Sequence, residues 1–336
     1  MKAVVKQKRG DGFVELVEKN EPIATDGSVI LRVGSAGICG SDLMILHDRF
    51  PNYNVPVTLG HEFAGTVEKV ASDSSFSRGE RVVCETHAYV CNVCNFCKSG
   101  KYNLCMERKG FGYGVDGAFA NFVKVREAII HRLPEKITIE EAAVLEPTSV
   151  VVNALNVNSR INPNDSVIVF GPGPIGLLAL QLARLSGANV TLVGTDKSRQ
   201  RLEFGSRTFN ADKTMIDSEM RDEDYSNKYD VSIIATGSPD SFELALRAVR
   251  KLGRVIHIGE STAQANFQFS LIERKNLTVQ GSFSHNWPVW EKAISLVNDG
   301  KIKVKPLITH KFNLEDWKMG FDAAESRVGV KVLINP

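Results

Sequence analysis

At 336 residues, with 43% hydrophobic and 24% charged side chains, the chain has the composition of a globular protein and enough length for two domains with separate cores. Its formal net charge of +2 comes from interspersed Lys, Arg, Asp and Glu, so no broad positive field exists for a nucleic acid, and the expected partner is a small molecule. No apolar run reaches the ~18 residues that span a bilayer, and the opening MKAVVKQKRG lacks the apolar core of a signal peptide, so no membrane partner and a cytoplasmic location are expected.

In chain order, residues 1–151 hold short β-type runs broken by glycine, SVILRVGSAGICG, FAGTVEKV and GAFANFVKV, which predict a compact, mostly β, barrel-like domain. A cysteine-rich lobe is expected inside it at about 84–110. Residues 152–284 alternate strand and helix: SVIVF, PIGLLALQLARLSG, NVTLVGTD, KSRQRLEFGSRTF, YDVSIIAT, PDSFELALRAVRKLG and RVIHIG, with a strand-like TVQGSF to close. That alternation predicts a doubly wound parallel sheet, so the fold class is α/β. Residues 285–336, with helix-like PVWEKAISLVNDG, strand-like KPLITHKFNL and the final KVLINP, are expected to return to the first domain.

The segment VIVFGPGPIG sets Gly171, Gly173 and Gly176 between a strand and a long apolar helix. In that context the glycines provide a tight turn, close approach to a pyrophosphate and close helix–strand packing, with free N–H groups at the helix start for phosphate. The next strand ends at Asp196, whose carboxylate can accept from an adenosine ribose and repels a 2′-phosphate, favouring NAD; Lys197, Arg199 and Arg201 nearby could instead hold that phosphate, as in NADP.

Cys91, Cys94, Cys97 and Cys105 supply four soft ligands within fifteen residues, enough to close a tetrahedral zinc shell, so this site is read as structural. A second set is scattered: Cys39 in GICGSD, His61 and Glu62 in LGHEFAG, and Glu146 in LEPTS. A thiolate, an imidazole and a carboxylate with an open fourth position make a reactive zinc site, giving two zincs per chain. Adjacent side chains of an extended segment point opposite ways, so His61 and Glu62 could share a metal only at a bend, which Gly60 permits. Both Glu62 and Glu146 stand as candidates for the direct ligand.

GICGSD, GHEFAGTV, the four-cysteine loop, Glu146-Pro147 and GPGPIG, in this order, resemble the zinc-dependent medium-chain alcohol dehydrogenases nearly end to end. Glu146, where other members carry cysteine, is similar to the polyol and threonine dehydrogenase branch, and WPVWEKAISLVNDGKIKVKPLITHKF is similar to sorbitol dehydrogenases. The resemblance implies a GroES-like catalytic domain, a Rossmann domain, an active site in the cleft between them, and a homodimer or homotetramer. It also implies cofactor roles for Ile175, Asp196, Arg201, Ile258 and Gly259. The expected reaction moves hydride between a secondary alcohol (polyol, sugar or hydroxy amino acid) or its ketone and NAD(P), with Ser41 passing the hydroxyl proton outward.

Three departures from the branch stand out. Met44 occupies the position of a usual histidine relay, for which His47 is the candidate substitute; Phe283-Ser284-His285 stands where sorbitol dehydrogenases read Phe-Arg-Tyr; and ETHAYVCNVC lacks a proline before the cysteine loop. Thr309 and His310 are read as structural. The rival readings are a zinc-free quinone or enone reductase of the same fold and a non-catalytic, zinc-stabilised nucleotide-binding protein.

Overall fold

The chain crosses four times between two units of a computed structural model that describes residues 1–336. One unit comprises Met1–Glu146, His285–Gly300 and Val304–Pro336; the other comprises Pro147–Ser284 and Lys301–Lys303.

The first unit is organised by the strand Ser28–Gly37, where alternating Val29, Leu31 and Val33 enter the core. It pairs antiparallel with Glu62–Val70 and Phe122–Arg126, and its end pairs with Lys331–Asn335, all within a seven-stranded sheet. Gly37 faces Glu62 on one side and Leu333 on the other. Beyond Gly37 the chain leaves the sheet and turns at Cys39 into the helix Gly40–Leu46. Cys39, Glu62 and Lys331 therefore meet at one end of the sheet although their sequence positions are far apart.

The second unit is a six-stranded, all-parallel sheet, ordered Lys213–Ile216, Asn189–Gly194, Ser166–Phe170, Tyr229–Ile234, Val249–His257 and Thr278–Gly281. Numbered by sequence this is the 3-2-1-4-5-6 order of a doubly wound dinucleotide fold. Val167, Ile168 and Val169 are completely buried, as a central strand covered on both faces requires. The helix Pro174–Leu185 starts with proline in its first turn and buries Leu177 through Ala183.

Two elements differ from the sequence expectation. The edge strand Lys213–Ile216 was not anticipated: it is four residues long, and its first two are exposed. The helix expected to run through PDSFELALRAVRKLG stops at Ala248, and Val249–His257 is strand. The Lys275 ammonium donates to the carbonyls of Leu246, Arg247 and Val249 at 2.8–2.9 Å, satisfying the helix end, while fully buried Val249 pairs with Tyr229.

Candidate active site

Asp42 ties together the two loops that carry Cys39 and His61. Its Oδ2 accepts from the Cys39 N–H at 2.9 Å and its Oδ1 from the Gly60 N–H at 3.2 Å, and the carboxylate is wholly buried. Gly60 makes the bend at φ +91°, and a Cβ there would lie 2.7 Å from the Phe119 ring, so this turn admits only glycine. The bend brings His61 and Glu62 onto the same side. Cys39, His61 and Glu62 each offer a ligand atom, all within 4.8 Å of one another.

Glu62 begins its strand opposite Gly37, and a Cβ on Gly37 would fall 2.3 Å from Glu62 Oε2. That oxygen accepts from the Lys331 ammonium at 2.5 Å, and Lys331 also donates to the Ile38 carbonyl at 3.1 Å. Both partners are at most 2% exposed. Burial raises the Glu62 carboxyl above its ordinary range against the pull of Lys331, and burial likewise raises Asp42. Burial alone would lower His61, but the surrounding anions, Asp42 first and then Cys39 and Glu146, hold its imidazolium well above the usual range.

His61 Nδ1 is buried without a hydrogen bond, 3.7 Å from Asp42 Oδ1, and its Nε2 lies 3.4 Å from the Ser41 hydroxyl. Thiol, imidazole and carboxylate converge here, with the Lys331 ammonium as the nearby cation on Glu62. That donor set fits a divalent metal of the zinc class.

Glu146 sits in the first turn of the helix Leu145–Val152. Its Oε1 accepts from the Thr86 hydroxyl at 3.1 Å and contacts His285 Nε2 at 3.2 Å. Burial opposes its ionisation, yet these hydrogen bonds and the nearby His61 lower it to about 2. Its carboxylate is not part of the set within 4.8 Å of Cys39 and His61. His47 spends both ring nitrogens on Asp11 and Glu325, at 2.7 and 2.8 Å, and makes no link to Ser41. His310 is held by the Thr309 hydroxyl at 3.0 Å.

The four lobe cysteines also lie within 4.8 Å of one another. Cys91 Sγ is 3.9 Å from Cys97 Sγ and 3.6 Å from Cys105 Sγ. A tetrahedral shell with Zn–S bonds of about 2.3 Å sets sulfurs about 3.8 Å apart, whereas a disulfide needs about 2 Å. Backbone N–H groups of Val93 and Cys94 lower Cys91 to about 7, while burial pushes Cys97 up to about 12. Val93 and Met106 remain exposed, so little apolar burial holds the lobe.

A third cluster, Glu85, His87 and His285, has ligand atoms within 4.8 Å, but every ring nitrogen of its two histidines is engaged in a hydrogen bond. Tyr102 donates to Glu85, Arg108 Nε donates to His87 Nδ1, His87 Nε2 donates to the His285 carbonyl, and Trp290 Nε1 donates to His285 Nδ1. It is a hydrogen-bonded support, not a metal site.

In the second unit a Cβ on Gly176 would lie 1.8 Å from the Gly171 carbonyl, whereas one on Gly173 would meet nothing within 4 Å. Gly176 thus permits helix–strand contact, and Gly173 leaves open space at the start of the helix, which fits a dinucleotide pyrophosphate. Ile175 lies in the first turn of that helix, and Arg201 is half-buried in the helix Arg199–Phe209. Ile258 and Gly259 follow the strand Val249–His257, both N–H groups donating to the Ile234 carbonyl at 3.0 Å. Exposed Asp196 accepts from Arg199 at 2.8 Å and from Ser218 at 2.9 Å, and Arg199 is also paired with Glu219.

Sequence reasoning assigned no role to Asp42, Thr86 or Lys331. Asp42 lay inside GICGSD, and Lys331 was visible as a lone charge before the apolar run of KVLINP; Thr86 carried no signal.

Residues 25–135 match the alcohol dehydrogenase GroES-like domain, and residues 174–299 match the zinc-binding dehydrogenase family. Sorbitol dehydrogenase of Halalkalibacterium halodurans is 35% identical, covering 100% of this chain and 99% of its own. The crystal structure of galactitol-1-phosphate dehydrogenase from Escherichia coli superposes with a TM-score of 0.90 at 30% identity, covering all of both chains. A Sinorhizobium meliloti 1021 protein bound to NADP superposes with a TM-score of 0.91 at 27% identity, covering 100% of this chain and 99% of its own. No helix is long and apolar enough to cross a membrane.

Proposed function

Because the chain belongs to the zinc-dependent medium-chain dehydrogenases, in their polyol branch, we propose that it exchanges hydride between a polyol or polyol phosphate and NAD, at a zinc held by Cys39, His61 and Glu62. The observation that carries this reading is the convergence of half-buried Cys39 with buried His61 and Glu62 within 4.8 Å. Zinc bound there supplies a Lewis acid that makes a substrate hydroxyl more acidic, and the nicotinamide supplies the hydride acceptor.

The chain's own residues do the rest. Asp42 fixes the loops that bear Cys39 and His61, and its carboxylate faces His61 Nδ1, so Nε2 is the nitrogen left to bind. Lys331 neutralises and orients Glu62. Ser41 sets its hydroxyl beside His61 Nε2, where it takes the substrate proton; Met44 cannot carry that proton further and His47 is tied elsewhere, so it leaves by water. Glu146 stands beside the set as its outer carboxylate.

Gly171, Gly173, Ile175, Gly176, Arg201, Ile258 and Gly259 would hold the dinucleotide, with Asp196 on the adenosine ribose. NAD is favoured over NADP because Arg199, the cation joined to Asp196, is already neutralised by Asp196 and Glu219. A second zinc belongs to the four-cysteine lobe. All six cysteines are unpaired, in keeping with a reducing cytoplasm. The open sheet edge Thr278–Gly281, with Val279 exposed, supports assembly into a homodimer or homotetramer.

Cys39→Ser tests the site. Turnover with a panel of polyols, polyol phosphates and hydroxy amino acids should vanish, one of two zincs should be lost, and NADH should bind as before. Normal turnover in that variant overturns the reading, as does finding one zinc or none in the native protein. The same panel run with NAD and NADP decides the cofactor.

A further inference from the structure

His285 stands where sorbitol dehydrogenases carry the tyrosine of Phe-Arg-Tyr, and nothing in the reaction above uses it. Its ring is wholly buried. Trp290 Nε1 lies 2.7 Å from His285 Nδ1, and an indole N–H can only donate. Nδ1 must therefore present its lone pair, and the ring proton must sit on Nε2. Protonating Nδ1 would set two donors face to face at 2.7 Å in a buried site.

That tautomer gives the hydrogen bonds around Glu146 one direction. The Nε2–H reaches Thr86 Oγ1 at 2.9 Å and Glu146 Oε1 at 3.2 Å, and the Thr86 hydroxyl donates to the same Oε1 at 3.1 Å. Two neutral donors thus grip one oxygen of Glu146. The His285 backbone is held as well: its carbonyl accepts from His87 Nε2 at 2.7 Å, and His87 is itself held by the donor-only Arg108 Nε. Glu62 has the opposite arrangement: its partner is the cation Lys331, and its carboxylate lies within reach of Cys39 and His61.

We propose that His285, locked as the Nε2–H tautomer by Trp290, is a positioning residue that holds Glu146 back from the metal. The shell then closes on Cys39, His61 and Glu62 and keeps a position for substrate. This rests on the zinc reading above, in which Glu146 already stands outside the set, and adds to it what keeps it there.

The test is His285→Phe, which removes both the donor and the acceptor, read out in zinc affinity at the Cys39 site, in the visible spectrum of the cobalt-substituted protein and in kinetics. Released Glu146 joins the metal. The spectrum should change, metal affinity should hold or rise, and kcat/KM should fall about 10- to 100-fold with NADH binding unchanged, the range typical of outer-shell partners. A merely structural role would instead lower affinity and activity together. Adding Glu146→Gln to His285→Phe should restore the cobalt spectrum, and His285→Gln, which keeps one donor and one acceptor at the original reach, should restore most of the rate.

An unchanged spectrum and rate in His285→Phe overturn the proposal, as does a fall in metal affinity that parallels activity. If His285→Phe does not fold, His285→Asn, polar but too short to reach Glu146, is expected to show the same pattern, and native behaviour in it is equally fatal. Failure of the zinc reading itself is seen separately, as turnover that survives Cys39→Ser.

Discussion

The two sets of candidate metal ligands in the first unit are built in opposite ways. In the cysteine lobe all four thiols come from fifteen consecutive residues, and backbone N–H groups of the same loop point at the sulfurs: Cys91 N donates to Cys105 and Cys94 N to Cys91, both at 3.4 Å. Cys39 instead comes from one segment and the adjacent His61 and Glu62 from another, meeting at one sheet end, and their orientation depends on Asp42 and Lys331. A local loop can be shaped by its ligands. A dispersed site must be shaped by the fold before any metal arrives, and it does so by burying charge.

The largest effect should come from the lobe. Cys97→Ser removes a ligand from a segment with little apolar burial of its own, so it should forfeit a large share of the roughly 10–16 kcal/mol that a structural zinc contributes in small zinc-dependent folds. The expected result is loss of one zinc by metal analysis and rapid proteolysis within about residues 84–110. If the variant keeps both zincs and resists protease, the lobe does not depend on its metal and the contrast fails.

Lys331→Met probes the other side of the comparison. It leaves Glu62 buried and uncompensated, which should cost about 3–5 kcal/mol in denaturant unfolding. Combining it with Glu62→Gln should recover most of that loss. Additive losses in the double variant would mean that the pair is not a charge-compensating unit.

Asp42→Asn is smaller in stability and sharper in chemistry. Asparagine keeps the volume and one acceptor but loses the negative charge beside His61. Zinc affinity at the Cys39 site should fall 10- to 100-fold, about 1.4–2.7 kcal/mol, while the lobe zinc stays. Equal loss at both sites would show that Asp42 acts only through the fold.

The same contrast explains what could be read from the sequence. The cysteine lobe and the glycine turn at Gly171–Gly176 are visible because their parts lie within one turn or loop, where spacing carries the geometry. Gly60 showed that His61 and Glu62 could share a side, but the choice between Glu62 and Glu146 stayed open. The partners of the dispersed set were not legible, since Lys331 reaches Glu62 across 269 residues and His285 reaches Glu146 across 139, and only the pairing of strands and packing of the sheet end bring them together. Ala248 ended its helix early for a similar reason: the ammonium that satisfies its carbonyls belongs to Lys275. Lys213–Ile216 escaped notice because a short edge strand with an exposed start shows too little alternation.

The smallest effect concerns the hydrogen-bonded support behind Glu146. Burial first, then the neighbouring His285 and Arg108, hold His87 well below the ordinary histidine range of 6.5, in agreement with its role as acceptor from Arg108 and donor to the His285 carbonyl. Below pH 6.5 the unfolded chain binds a proton at this histidine that the folded chain refuses. Stability should therefore fall as pH drops through 6.5, by at most about 1.4 kcal/mol per pH unit from this group, and the group should contribute no slope above it. Comparison with His87→Gln, which keeps an acceptor for Arg108 and a donor for the carbonyl, isolates that contribution. Denaturant unfolding between pH 5 and 7 should show a shallower acid loss in the variant, and parallel curves would mean that the folded protein takes up the proton and the Arg108–His87–His285 chain is not rigid.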